Sequence, residues 1–282
     1  MRVAVIGLGQ MGGGIADNLV RAGHDVRVFD VADAAMAPRV ALGATAASSP
    51  ADAALGAEFV SIVVFDDAQV LESCCGVDGV LSVLEPGAVV AIHTTATIGA
   101  IRAVAESAAP RDIAVIDAGI SGGESGANAG NLLVMVGGSD EAVELARPAI
   151  DAFAKELVHA GALGTGMALK LARNAVGYAW MSAVHEAMAF STRAGVDPKL
   201  LRHAIVEADV LGQALTPLGM GGPEPYPADA PEAAYFEHVA RLADKDLEHA
   251  LLLAADMGTD APVLGTTRAE FRSTIRLGPV SD

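Results

Sequence analysis

A chain of 282 residues, 52% hydrophobic and 19% charged, has the length of one large domain or two ordinary ones and the composition of a compact globular protein. Its formal net charge of −17 speaks against a duplex nucleic-acid partner and against an anionic membrane surface, because both need clustered Lys and Arg. No apolar run reaches the roughly 20 residues of a membrane span, and the adjacent Cys74 and Cys75 can neither staple a fold nor hold zinc by themselves, so a cytoplasmic protein with reduced thiols is expected. The opening MRVAVIGLGQMGGG stops being apolar at Gly7 and lacks a cleavage pattern, so it reads as a strand and not as a leader.

As far as about residue 160, short β-branched runs alternate with alanine-rich helical stretches, the pattern of a parallel sheet covered by helices. Strands are predicted at Val3–Ile6, Val26–Phe29, Phe59–Phe65, Ala88–Ile92, Ile113–Asp117 and Leu132–Val136. Helices are predicted at Gly12–Ala22, Ala32–Leu42, Ile98–Ala108 and Asp140–Phe153. From Gly164 onward strands vanish: a long helix covers Thr165–Ala194, stopped by Gly195 and Pro198, a Pro-rich loop runs from Pro217 to Pro231, and a second long helix covers Tyr235–Asp256. The division expected is an α/β domain over residues 1–162 and an all-helical domain over 163–282, opened by a long inter-domain helix. That helix carries more apolar surface than one small domain covers, which implies burial against a second copy in a homodimer or homotetramer.

The strongest local signal is Gly7-Leu8-Gly9-Gln10-Met11-Gly12, directly after the first strand and opening the first helix. Gly7 permits a tight turn, Gly9 lets backbone approach a pyrophosphate, and Gly12 allows close helix–strand contact. The helix N-terminus adds free N–H groups and partial positive charge. Asp30 closes the second strand about 20 residues on, as the dinucleotide fingerprint requires. The first domain is therefore read as Rossmann-type. A carboxylate at Asp30 accepts from a ribose 2′-hydroxyl and repels a 2′-phosphate, and the nearest arginine is Arg39, so NAD is favoured over NADP.

Three further segments carry chemistry only in combination. Asp117 through Ala127 is glycine-rich after a strand; it reads as a surface loop or as a nest of N–H groups aimed at a carboxylate. Lys170 and Asn174, four apart, share a helix face, with the apolar Ala168, Leu169, Leu171 and Ala172 around the lysine implying a mostly buried helix. Lys245-Asp246-Leu247 taken alone is a solvated charged pair. The chain uses four lysines among its 18 basic residues, so two lysines in these segments place an amine where proton loss is useful. His93 ends a strand near the expected cofactor and reads as structural, and no histidines fall at ligand spacing, so no metal is expected.

In this order the four segments resemble the β-hydroxyacid dehydrogenase family, whose members include 3-hydroxyisobutyrate dehydrogenase. The likeness runs from the glycine turn through Asn18-Leu19, Gly23-His24 and Asp30 to Ser121-Gly122-Gly123, Met135-Val136-Gly137-Gly138 and Gly164-Thr165-Gly166 with Lys170 and Asn174. It continues through Glu186, Gly195-Val196-Asp197-Pro198 and Lys245-Asp246-Leu247, almost the whole chain. The resemblance implies an NAD-dependent oxidoreductase acting on a small carboxylate-bearing hydroxy acid. It makes Lys170 the acid/base, Asn174 the group that orients substrate, and Ser121, Gly122 and Gly123 the carboxylate anchor. Val64, Phe65, Gln69 and Thr95 would line the cofactor, and Lys245 would sit beside its nicotinamide end. Departures fall around the substrate: Gly119 stands where the family commonly has proline, Asn131 where it has threonine, and Thr94-Thr95 with Ile98 where a serine-threonine pair and a proline are usual. Imine reduction on the same fold and a non-catalytic NAD-binding role are the alternatives, and the lysine argues against both.

Overall fold

The computed structural model describes residues 1–208, 217, 220, 224–227 and 229–278. Alternation along the strands sets the layers. In β1 (Arg2–Ile6), Val3 and Val5 feed one apolar layer while Ala4 and Ile6 feed the other, all four buried. A strand buried on both sides reads as an unbroken apolar run, which is why these strands were legible.

Seven more strands follow: β2 (Asp25–Phe29), β3 (Thr45–Ala46), β4 (Phe59–Ile62), β5 (Val89–Ile92), β6 (Ala114–Ser121), β7 (Leu132–Gly137) and β8 (Ala154–Gly161). They form one sheet in the order β3-β2-β1-β4-β5-β6-β7-β8. All pairings are parallel except β6 with β7, which run antiparallel, so the sheet is mostly and not wholly parallel as the sequence implied. The helices between them are α1 (Gly12–Arg21), α2 (Asp33–Leu42), α3 (Pro50–Ala54), α4 (Asp67–Cys75), α5 (Ile98–Ala108), α6 (Gly123–Asn128) and α7 (Asp140–Ile150). Ile15 and Leu19 of α1 and Val143 and Ile150 of α7 fill one layer; Val70 of α4 and Ile101 and Val104 of α5 fill the other. Two sheet faces, each covered by helices, give the Rossmann-type architecture.

The predicted strands and helices of this region are present with shifted ends. The strand predicted over Phe59–Phe65 stops at Ile62, and the helix predicted to Phe153 stops at Ile150. The glycine-rich segment read as a loop after a strand is ordered: Asp117–Ser121 completes β6 because β7 pairs with it from Asp117↔Gly137 to Ser121↔Leu133, and α6 follows. Edge strand β8 was not predicted; its alternating AKELVHAG is half exposed and carries Lys155 and Glu156, as edges commonly do.

Two compact units divide at Asn174/Ala175, twelve residues past the 162/163 division expected. The reason is that the first turns of α8 (Thr165–Arg193) are held by the sheet: Met167 is fully buried in one apolar layer, and both oxygens of Asp117 on β6 accept N–H groups at the start of this helix. In the second unit, Glu186 of α8 accepts from Val263 N at 2.8 Å and Leu264 N at 3.0 Å, capping the Pro262–Thr274 helix. Gly195, at φ +92°, ends α8, and Asp197 caps α9 (Pro198–Glu207). The predicted long helix spans Pro231–Asp256, and Glu237 on it pairs with Arg272 at 2.8 Å. The Pro217–Pro231 loop lies partly outside the described residues. Among them, no helix is long and apolar enough to cross a membrane.

Candidate active site

Strand register brings the motifs to one edge. Ile6, Phe29, Ile62, Ile92 and Asp117 stand in one row across β1, β2, β4, β5 and β6, so whatever follows each of them emerges at the carboxyl edge of the sheet. Gly7, Asp30, Val63, His93 and Ala118 form the next row. Strand order reverses at β1, with β2 on one side and β4 on the other, which opens a crevice at this edge.

The glycines of the turn differ in what they do. Gly7 sits at φ +90°, and a Cβ there would meet the Val63 carbonyl oxygen at 2.5 Å. A Cβ on Gly12 would strike the Gly7 carbonyl, so α1 packs directly on the turn. Around Gly9, by contrast, no protein atom lies within 4 Å of a built Cβ: its backbone faces open space that a side chain would fill. Leu8 is buried, Gln10 is exposed and Met11 half-buried. One oxygen of Asp30 accepts from Leu8 N at 2.7 Å and the other from Ala32 N at 2.8 Å, tying the end of β2 to the turn. Each carboxylate oxygen retains a lone pair for a further donor. These residues fit a dinucleotide: N–H groups at a bare backbone, a helix N-terminus, and a carboxylate placed beside them. Arg39 is committed elsewhere, 3.1 Å from Asp17 and hydrogen-bonded to the Gly13 and Ala35 carbonyls.

Beyond β4, Val64 is half-buried and Phe65 is 86% exposed. Gln69 is exposed but turned back: its Oε1 accepts from Phe65 N at 3.0 Å while Asp66 accepts from Gln69 N, a reciprocal cap on α4. Thr94 is buried and donates to the Val64 carbonyl, leaving Thr95 as the exposed member of the pair. Ser121 ends β6, and Gly122 and Gly123 follow at φ +145° and +64°, conformations that L side chains rarely adopt.

Alternate residues of β6 face one side, so Asp117, Gly119 and Ser121 form a file running out to the edge. Asp117 is fully buried and accepts from Gly164 N at 2.6 Å and Met167 N at 2.5 Å; burial pushes its carboxyl up from the usual range, against those hydrogen bonds. One turn after Met167 comes Lys170, 7% exposed, with its stem lying against Gly119. Burial lowers its amine below the ordinary lysine value. Gly166, Met167, Lys170 and half-buried Asn174 make the inner stripe of α8. The surroundings anticipated for the lysine are inverted: Ala168, Leu169, Leu171 and Ala172 are exposed, because the stripe facing the sheet is the one that carries the amine.

His93 is fully buried. Its Nδ1 lies 2.7 Å from the Ala118 carbonyl oxygen, and its ring meets Phe153 edge-on. Desolvation first, and then the nearby Lys170 charge, hold it down to about 4, so it is neutral and donates from Nδ1. The structure thus gathers the glycine turn, Asp30, Val64, Phe65, Gln69, Thr95, Ser121–Gly123, Lys170 and Asn174 in the first unit. Lys245 belongs to the second, exposed and 3.3 Å from Asp246. Asp117 was missed as an anchor: its partners lie 47 and 50 residues away, and the one signal is a carboxylate inside an apolar strand.

Comparison with known proteins gives a consistent setting for this geometry. Residues 2–164 match the family model described as the NAD binding domain of 6-phosphogluconate dehydrogenase, and residues 164–280 match the one described as NAD-binding of NADP-dependent 3-hydroxyisobutyrate dehydrogenase. The NAD-dependent L-serine dehydrogenase of Pseudomonas aeruginosa is 33% identical over 98% of this chain and 93% of its own length. The 3-hydroxyisobutyrate dehydrogenase of the same organism is 34% identical over 95% of this chain and 90% of its own. The crystal structure of a putative oxidoreductase from Mycobacterium avium superposes with a TM-score of 0.85 at 33% identity, covering 98% of this chain and 99% of that one. An imine reductase from Myxococcus stipitatus, at 19% identity and a TM-score of 0.80, shares the fold alone.

Proposed function

This chain belongs to the β-hydroxyacid dehydrogenase family of NAD-dependent oxidoreductases, and from that premise we propose that it acts on a small β-hydroxy acid or its semialdehyde with Lys170 as general acid/base. The observation that carries the proposal is the lysine itself: buried, its amine lowered by desolvation, and its stem lying against Gly119, one pleat before Ser121 on the same face of β6.

NAD, when bound, supplies the acceptor for the substrate hydride. The Gly7–Gly12 backbone and the α1 N-terminus would hold its pyrophosphate and Asp30 its ribose, with Val64, Phe65, Gln69 and Thr95 lining it. Ser121, Gly122 and Gly123 anchor the substrate carboxylate, and Asn174, one turn from Lys170, orients the reacting hydroxyl. Neutral Lys170 takes the hydroxyl proton during oxidation; as an ammonium it returns that proton during reduction. Serine and hydroxyisobutyrate, named for the two relatives, are the substrate class that fits: a carboxylate for the anchor and a β-hydroxyl for the amine.

A homodimer or homotetramer is supported by apolar side chains left exposed on α8, among them Val176, Tyr178 and Met181, and light scattering tests it. A cytoplasmic location is consistent with Cys74 and Cys75, both free thiols. The function is tested by offering a panel of short β-hydroxy acids with NAD and following NADH formation. Turnover of at least one is expected; reduction of cyclic imines with no hydroxy acid oxidised would overturn the proposal.

A further inference from the structure

Asn18 follows the glycine turn in the chain and has no part in the chemistry above, yet its amide is used on every side. It stands half-buried in the second turn of α1. One amide hydrogen goes to the Gly14 carbonyl of its own helix at 2.8 Å and the other to the Ala127 carbonyl of α6 at 2.7 Å. Both partners are carbonyl oxygens, so the nitrogen is the atom that must face them. Arg21 donates to the amide oxygen at 3.3 Å. The bond to Ala127 joins positions 109 apart in the chain.

Its target is a weakly held piece of the fold. α6 has six residues, too few to persist by helix propensity, and the carbonyls of a last turn lack partners within their own helix. The Ala127 side chain is fully buried, but an apolar contact is non-directional and leaves the helix free to turn. The other donor to the Ala127 carbonyl, Gly130 N, is 3.3 Å away. Where α6 settles decides more than α6. Ser121 is fixed by its pairing with Leu133, and Gly122 and Gly123, at φ +145° and +64°, lead from it into the helix. Glycine torsions are soft, so the direction of these two N–H groups follows from how the ends are held: by β7 on one side and by Asn18 on the other. Gly9 and Gln10 of the turn and Glu124 and Asn128 of α6 line one cleft of about 480 Å³, so the two segments stand across it from each other.

We propose that Asn18 is a positioning residue that ties the carboxylate anchor to the cofactor turn. By holding α6 on α1 it aims the Gly122 and Gly123 N–H groups and sets how far the substrate carboxylate stands from the Gly7–Gly12 backbone. The inference rests on Ser121–Gly123 being the anchor of the proposed function, and goes beyond it by naming what aims that anchor.

The test is Asn18→Asp, which keeps the size of the side chain and loses both donors, beside Asn18→Ala, each in the full chain loaded with NADH. Amide hydrogen exchange over residues 122–130 is expected to quicken about tenfold or more, with residues 2–12 unchanged. Propionate, a short carboxylate without a hydroxyl, followed by NADH fluorescence, should bind about 10–100-fold more weakly while NADH affinity stays within about twofold. A variant that merely loosens the fold would weaken both ligands or neither. Should the aspartate variant not fold, because its charge faces two carbonyls, the alanine variant carries the same readouts. Unchanged exchange would overturn the tie, and faster exchange with unchanged propionate affinity, or an equal loss of both ligands, would overturn the positioning role. Failure of the anchor reading shows separately, as Ser121→Ala binding propionate just as the wild type does. That result removes the positioning role with it, while the exchange comparison still decides the tie.

Discussion

The glycine turn and the lysine seat occupy the same edge of one sheet and are assembled in different ways. The turn lies within one strand–helix–strand stretch, and its longest internal tie, Leu8 N to Asp30, spans 22 residues. The seat draws on β5, β6 and α8, with ties of 25, 47 and 50 residues. In the turn the Gly9 backbone faces open space, and in the seat the Gly119 backbone faces the stem of the chain's own lysine. A motif of the first kind can be damaged for binding without touching the fold. One of the second kind ties the lysine to folding, because the helix that carries it is attached to β6 through Asp117.

The largest separation between the two should come from Lys170→Ala, expected to lower turnover by about 10²–10⁴-fold with NAD affinity retained, checked by steady-state kinetics beside fluorescence titration. Lys170→Met adds a stability readout. The wild-type lysine is depressed in the folded state, so its burial penalty is fully present below the depressed value, fades as pH rises, and is gone above the ordinary lysine value. The methionine variant should be more stable at neutral pH by about 0.5–2 kcal/mol and lack that rise of stability with pH. Next in size is Asp117→Ala, which strands two N–H groups of α8 and should cost about 2–4 kcal/mol in denaturant unfolding together with most activity. If it costs activity alone, folding and seat are not coupled.

The turn's own contrast is smaller. Gly7→Ala meets both a positive φ and the Val63 carbonyl, and should lose about 1–3 kcal/mol of stability as well as NAD affinity. Gly9→Ala meets no protein atom, so stability should stay within about 0.5 kcal/mol while NAD affinity falls about tenfold. Equal losses of stability in the two would erase the distinction between scaffold glycine and ligand-facing glycine. The smallest effect is expected of Asp30→Asn, which removes the charge that repels a 2′-phosphate and should narrow the preference for NAD over NADP by roughly tenfold in kcat/KM.

Much of the candidate site was legible in the residues. The turn, Asp30, Ser121–Gly123 and Lys170 could all be named from spacing and resemblance. What failed was environment. Leu169 and Leu171 were taken as the buried neighbours of a lysine, whereas the lysine's own stripe is the buried one. Nor does the order of residues tell that the Gln69 carbonyl oxygen accepts from Phe65 N and so caps α4. His93 read as structural, and the Ala118 bond agrees, but nothing in the chain's order tells that this bond braces the strand under Lys170.

The sequence by itself determined the six inner strands of the sheet and the dinucleotide turn, since hydrophobic alternation and glycine freedom are properties of neighbours along the chain. Only the tertiary structure decided that β6 continues to Ser121, that Asp117 accepts from the start of α8, and that the Lys170 stem lies against Gly119. Each of those depends on which surfaces meet across dozens of residues, and a residue's burial, hydrogen-bond partners and proton affinity are set by that meeting and not by its position in the chain.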